Sequence, residues 1–328
     1  MEFGIHAIAG GSGDIQVTAG SGAIRQSSTT DTGISTSGVL TMDAANNIGD
    51  SSTSAIQTSV GELAARTTVL GGVIVDEADG IVIGDGAGSI DGIVTDGDGA
   101  ISLDSASGTV QVTHTINSGN GTLSLQGVDL SVNALITGGA VAVSGSGTLG
   151  MTGTTRILGN DATNAVALSA DVLTLVGGTA LDAAIQGSGG GDVTMTSITS
   201  DITLFHHAVT ADGDVVINAG GNLSAGQSDS TEMVTTAGSL TLQAGGTIGT
   251  AVAGESIRFE AADLEATASS GLFLIETDDI VIGHDSVDLN AGLSTTSGDI
   301  QLQATGTVTI GDQRRVIAGG VGTSLTIE

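Results

Sequence analysis

The sequence predicts an all-β chain wound as a parallel β-helix solenoid with about 22 residues per turn. Three observations carry the prediction. Short runs alternating apolar and polar residues recur along the chain, most of them preceded by Gly, Gly-Asp or Ser-Gly. The chain repeats itself at a distance of about 200 residues. It has 54 Gly but no Pro, Cys, Trp or Tyr in 328 residues.

The alternating runs begin at Ile15, Leu40, Ile81, Ile101, Leu123, Val141, Val166, Val193, Val215, Leu240, Ile280, Ile300 and Leu325. Weaker runs near Val60 and Ile257 fill the wide gaps. The mean step lies in the range of solenoids, propellers and arrays, and about fifteen steps make the chain. The stretch Ser297-Gly298-Asp299-Ile300-Gln301-Leu302-Gln303-Ala304-Thr305-Gly306-Thr307-Val308-Thr309-Ile310-Gly311 shows the grammar of one step. Two period-2 runs each turn one face inward, and Gly306 sits between them at the bend. A third run, Val316-Ile317-Ala318, follows before Gly319-Gly320 begins the next step. A single turn of this kind cannot bury its inner face alone, so the turns must stack.

The long repeat is visible residue by residue. Gly13-Asp14-Ile15-Gln16-Val17-Thr18-Ala19-Gly20 matches Gly213-Asp214-Val215-Val216-Ile217-Asn218-Ala219-Gly220, and Ile81-Val82-Ile83-Gly84 matches Ile280-Val281-Ile282-Gly283. Residues 1–128 therefore correspond to 201–328 within one continuous solenoid domain, 1–328. One and a half copies read as a length cut from a longer array. Ile15, Val17, Leu40, Ile81, Ile83, Ile101, Leu103, Val110, Val215, Ile217, Leu240, Leu242, Ile280, Ile300, Leu302 and Val308 are expected to point inward. Phe205, Phe259 and Phe273 lie in strand-like runs and are expected in the core.

Composition excludes rivals. Immunoglobulin-like sandwiches usually show strands at 8–12-residue spacing, a buried aromatic and some Pro. A coil whose strands pair on both sides has no central place for Pro. The uncharged stretch from Leu130 to Thr155 is too rich in Gly, Ser and Thr for a membrane helix and reads as solenoid turns. Met1-Glu2-Phe3-Gly4 lacks the features of a signal peptide, so an extracellular location rests on export signals outside this segment.

Six Arg, no Lys and 36 acids give a net charge of −30. Such a polyanion does not bind nucleic acid through charge, and neither it nor its strands suggest membrane insertion. The acids read chiefly as a soluble coat that discourages sideways association. They are bunched, with Asp76, Glu77, Asp79, Asp85, Asp91, Asp96, Asp98 and Asp104 in one copy and Glu276, Asp278, Asp279, Asp285 and Asp288 in the other. Calcium is the candidate ligand, with Asp96, Asp98 and Asp104 as its candidate site. Asp96-Gly97-Asp98-Gly99 resembles part of a calcium loop but lacks a terminal Glu, and Gly10-Gly11-Ser12-Gly13-Asp14-Ile15 approaches a calcium nonapeptide with its Asp one residue early.

No catalytic constellation stands out. Among His6, His114, His206, His207 and His284, only His206-His207 are adjacent, and neighbours on a strand face opposite ways. Arg314-Arg315, the one dibasic step, reads as a solvated turn. Without Cys there is no disulfide and no thiol nucleophile. Sugar handling is common among parallel β-helices, but the chain lacks the usual aromatic platforms.

The phrase 297–311, its relatives at Gly213 to Gly226 and Gly238 to Gly249, and the absence of Cys resemble very large bacterial β-strand-repeat surface proteins, similar to filamentous-haemagglutinin-type adhesins. The resemblance implies a right-handed β-helical stalk, secreted or held at the cell surface, serving adhesion, matrix or envelope structure, with no catalytic motif. The expected function is a non-catalytic structural segment of an extracellular fibre or adhesin, making end-to-end contact with like chains or neighbouring repeat segments. The alternatives are a polysaccharide-active β-helix enzyme and an ice- or mineral-surface binder, which would need a flat Thr or Asp ladder.

Overall fold

A computed structural model describes residues 3–5, 8–9, 11–26, 33–50, 54–153, 155–177, 183–226, 231–252, 254–283, 292–311, 314–320 and 323–327. The chain is all-β: parallel strands stack as a β-solenoid of about 12 turns with roughly 24 residues per turn. It divides into two compact units, Met1–Gly150 with Ile157–Asn160, and Met151–Arg156 with Asp161–Glu328.

In the first unit three columns of apolar side chains form the interior. Val73, Ile101, Leu123 and Val141 stack in one, Ile81, Val110 and Leu130 in the second, and Ile93, Ile116, Ile136 and Ile157 in the third. The second unit repeats the plan. Its columns are Val166, Val193, Val215, Leu240 and Leu264; Leu173, Ile202, Leu223 and Ile248; and Ile185, Val209, Val234 and Phe259. All of these residues are buried. Each such side chain contributes roughly 1.5–3 kcal/mol by leaving water.

Thirteen of the sixteen residues expected inward are buried, from Leu40 to Leu302. Ile15, Val17 and Val308 are half-buried. Their strands pair on one side only, Ile15–Ala19 with Ile34–Ala44 and Val308–Ile310 with Ile280–Ile282, so no further turn covers them among the described residues. The aromatic expectation needs correction. Phe259 is buried, but Phe205 and Phe273 are half-exposed. Leu204, Leu272 and Leu274 hold the inward phase, so their neighbours Phe205 and Phe273 face outward. The Phe205 ring lies where a Cβ on Gly226 would stand, and Phe273 does the same at Gly271.

The turns are also fewer and longer than the runs suggested. Ile81 and Ile101, counted as successive steps, stand on different columns: Ile81 stacks with Val110, and Ile101 with Val73. Ile280 and Ile300 divide in the same way. Turn length varies as well, short from Leu123 to Val141 and long from Val73 to Ile101.

Among the described residues, each unit contains a place where the columns are re-registered. In the first, the long strand Ile56–Thr67 pairs with three successive strands, Val73–Glu77, Ile81–Ile83 and Ile93–Thr95. In the second, Ile257–Glu260 and Asp263–Ala268 together take that role toward Gly271–Glu276, Ile280–Ile282 and Gly292–Thr295. The registers match: Leu40 with Leu63 and Ile56 with Val75 correspond to Leu240 with Leu264 and Ile257 with Leu274.

One loop in the first unit departs from the plain coil. Residues 84–92 fold over an outward face, closed by an antiparallel bridge between Asp85 and Asp91. The Ala87 N–H donates to Thr41 Oγ1 at 2.8 Å. With Ile90 buried beneath the loop, outward-facing Thr41 and Ala64 are buried too.

Candidate functional site

The recurrent Gly-Asp before a strand has a specific geometry. The carboxylate of one turn accepts the backbone N–H of the residue that follows a glycine one turn later. Asp192 accepts from Asp214 N at 2.9 Å, and Asp214 in turn accepts from Ser239 N at 2.8 Å. Asp201 accepts from Asn222 N at 2.6 Å, and the Asn222 amide oxygen accepts from Thr247 N at 2.9 Å. Asp14 does the same for Val39, Asp98 for Asn120, Asp129 for Thr148 and Asp279 for Thr307. The glycines preceding these donors stand directly over the acceptor. A Cβ on Gly213, Gly221, Gly238 or Gly246 would overlap the side-chain oxygen below. Each pair is thus an acceptor and a space for it, one turn apart. Backbone donors favour the charged form of a carboxylate, and the Asp98 and Asp161 carboxyls are held below their usual range, chiefly by N–H donation from Asn120 and Asn164. At Asp171 the Thr199 hydroxyl has the same effect.

Asp96, Asp98 and Asp104 occupy separate settings. Asp96 stands in the turn after Ile93–Thr95, where its N–H donates to Thr67 O at 3.0 Å; Arg66 is held charged chiefly by its hydrogen bond to Asp43, with the Asp96 charge a lesser influence. Asp98, with φ +62°, bonds to Asn120 of the next turn. Asp104 lies on Ile101–Ser105, in register between Asp76 and Gln126. Burial, followed by the Asp76 charge, raises its carboxyl above the usual range. Among the described residues no group of three or more His, Cys, Asp or Glu side chains is arranged to hold a metal ion. The loops that resemble calcium motifs direct Asp14 and Asp98 to N–H groups of the next turn instead.

His114 Nε2 lies 2.8 Å from Asp85 Oδ1. His206, with φ +50°, and His207 occupy the turn after Ile202–Phe205 and are half-buried. His6, His284, Asp285 and Asp288 lie outside the described residues. Arg315 opens the strand Arg315–Ala318 rather than standing in a turn. A shallow groove on the second unit is lined by Ser197, Asn218, Gln243 and Thr267, with no titratable side chain in its lining. The outward row Thr194, Val216, Thr241 and Glu265 is chemically mixed rather than a Thr ladder.

The strands 308–327 present interior-phase side chains to solvent. Leu325 and Ile327 stack on Ile300 and Leu302, yet are 49% and 37% exposed. At the matching place in the first unit, Leu123 and Leu125 are buried beneath Val141 and Val143.

Two features escaped the sequence reading. The inter-turn acceptor was legible only as a glycine recurring one turn after an Asp or Asn. The buried carboxyls Glu77 and Glu276, both 0% exposed, carried no signal beyond their matching places in the two copies. No family model, curated protein or solved structure matches the chain.

Proposed function

We propose that the chain is a structural segment of an extracellular fibre, adhesin or cell-surface stalk, without a catalytic role. The main support is the repeat itself: each turn presents an apolar face that is buried only against the next, as Leu123 and Leu125 are beneath Val141 and Val143. A surface of that kind is complementary to a turn of the same repeat, because unpaired strand edges and interior-phase side chains both find partners there. The partner is a like chain or a neighbouring repeat segment, joined end to end. The charge of −30 opposes sideways association and nucleic-acid binding, which suits a secreted or cell-surface element.

Sedimentation of the 328-residue chain tests the proposal. Concentration-dependent association is expected, and Leu325→Pro should abolish it. A chain extended past residue 328 by a copy of residues 127–160 should lose the association mediated by Leu325. A wild-type chain that remains monomeric at high concentration, or one that depolymerises a polysaccharide, overturns the reading.

A further inference from the structure

Among the described residues, each unit holds one fully buried carboxyl where its columns are re-registered. Glu77 ends the strand Val73–Glu77 and Glu276 ends Gly271–Glu276. Their places match: Glu77 stands between Thr58 and Ser105, and Glu276 between Phe259 and Ala304.

Asp79 of the following turn is hydrogen-bonded to the Glu77 carboxyl; the facing elements carry Glu62 and Arg66 on Ile56–Thr67 and Asp104 on Ile101–Ser105, and Asp76 precedes Glu77 on its own strand. Arg66 is held 2.9 Å from Asp43. Around Glu276 stand Arg258 and Glu260 on Ile257–Glu260, Asp278 and Asp279 in the following turn, and no titratable group on Ile300–Ala304. Arg258 pairs in register with outward-facing Ile275. Both surroundings are dominated by carboxylates.

The two carboxyls differ in their donors. The Thr58 hydroxyl donates to Glu77 Oε2 at 2.6 Å, and Val60 N–H to Oε1 at 3.1 Å. Glu276 receives Asp278 N–H on Oε1 at 3.3 Å, the backbone N–H groups of Thr277 and Ala261 also favour its charge, and among the described residues its buried Oε2 has no hydrogen-bond partner. Phe259 occupies the position that Thr58 holds in the first unit.

We propose that Glu77 and Glu276 are proton-operated latches: each re-registering corner closes over a neutral carboxyl and loosens when that carboxyl ionises. Glu276 is the stronger latch because a charge there would lack a hydroxyl donor, whereas at Glu77 the Thr58 hydroxyl and the Val60 N–H favour the charge and only burial and the hydrogen-bonded Asp79 carboxyl oppose it. Burial, the largest influence at both, pushes Glu77 up to about 7 and Glu276 up to about 8. In the unfolded chain both ionise near 4.5. The folded state therefore holds the extra protons between these limits. Stability is greatest at the acidic side of this window, falls as pH rises toward 7 and 8, and levels off above.

Carbon-detected NMR of the intact chain tests this by titrating the Glu side-chain carboxyls. Two resonances with midpoints near 7 and 8 are expected, and Glu77→Gln and Glu276→Gln should each remove one. Amide exchange at 257–261 and 276–280, corrected for intrinsic base catalysis, should rise about tenfold per pH unit below the Glu276 midpoint, following the linkage of one proton. Glu276→Gln should flatten that rise. Phe259→Thr should move the Glu276 midpoint down toward that of Glu77. Midpoints below pH 5 for both carboxyls, or exchange that rises equally in Glu276→Gln, overturn the proposal. If Glu276→Gln does not fold, the wild-type titration decides alone.

Discussion

Asp214 shows how much one side chain does here. Its N–H donates to the turn before, and its carboxylate accepts from the turn after, while Gly213 and Gly238 leave room for the two contacts. The requirement is for an acceptor oxygen at that spot rather than for a charge, because Asn222 fills the same role toward Thr247. Asp214→Asn should therefore change stability little. Asp214→Ala removes one inter-turn hydrogen bond and should cost roughly 0.5–1.5 kcal/mol. Gly238→Ala should be worse, roughly 1–3 kcal/mol, because the new Cβ meets backbone of Gly213 as well as the Asp214 oxygen. Urea melts of the three variants give the order. Equal losses for Asp214→Asn and Asp214→Ala would show that the charge, not the acceptor, matters.

At the scale of strands, period-2 alternation carries most of the information. It placed Leu40, Ile101, Leu240 and Ile300 inside because a strand offers only two faces. Aromatic character alone points Phe205 and Phe273 inward, but phase does not. The alternation set by Leu204, Leu272 and Leu274 leaves them no inward position. It overcounted turns because a run at Ile81 and a run at Ile101 look alike in sequence although they belong to different columns. Re-registering at Ile56–Thr67 depends on pairing with three strands at once, which no local pattern announces. Of the candidate metal residues, the acidity was legible but the separation of Asp96, Asp98 and Asp104 was not. It follows from which turn each N–H comes from. Position along a column should also set the cost of a cavity. Leu242→Ala, buried between Ile217 and Ala266, should cost about 2–5 kcal/mol. Val17→Ala, in a half-buried strand paired on one side, should cost distinctly less. Thermal melts that rank them the other way would contradict the stacked-column account.

Across the whole chain, 36 acids against six Arg make self-repulsion the dominant long-range electrostatic effect. Two of the few cations are already in contact with carboxylates, Arg25 with Asp50 and Arg66 with Asp43, each at 2.9 Å. Many acids also hold N–H groups of the next turn, which fixes their oxygens toward the backbone instead of toward a shared cation. Screening should therefore stabilise the fold without a specific ion. At 0.1 M salt the Debye length is about 10 Å, so repulsion between successive acidic turns is already reduced there. The melting temperature is expected to rise with NaCl and then level off. Calcium and magnesium at equal ionic strength should raise it alike. A saturable rise with calcium alone, at concentrations too low to change ionic strength, would demonstrate a site. Its loss in an Asp96→Asn, Asp98→Asn, Asp104→Asn triple variant would place that site at these three residues. The same salt series separates the two kinds of association. Contact through Leu325 and Ile327 is apolar and should persist at low salt, whereas sideways contact between acidic faces should emerge only once their charge is screened.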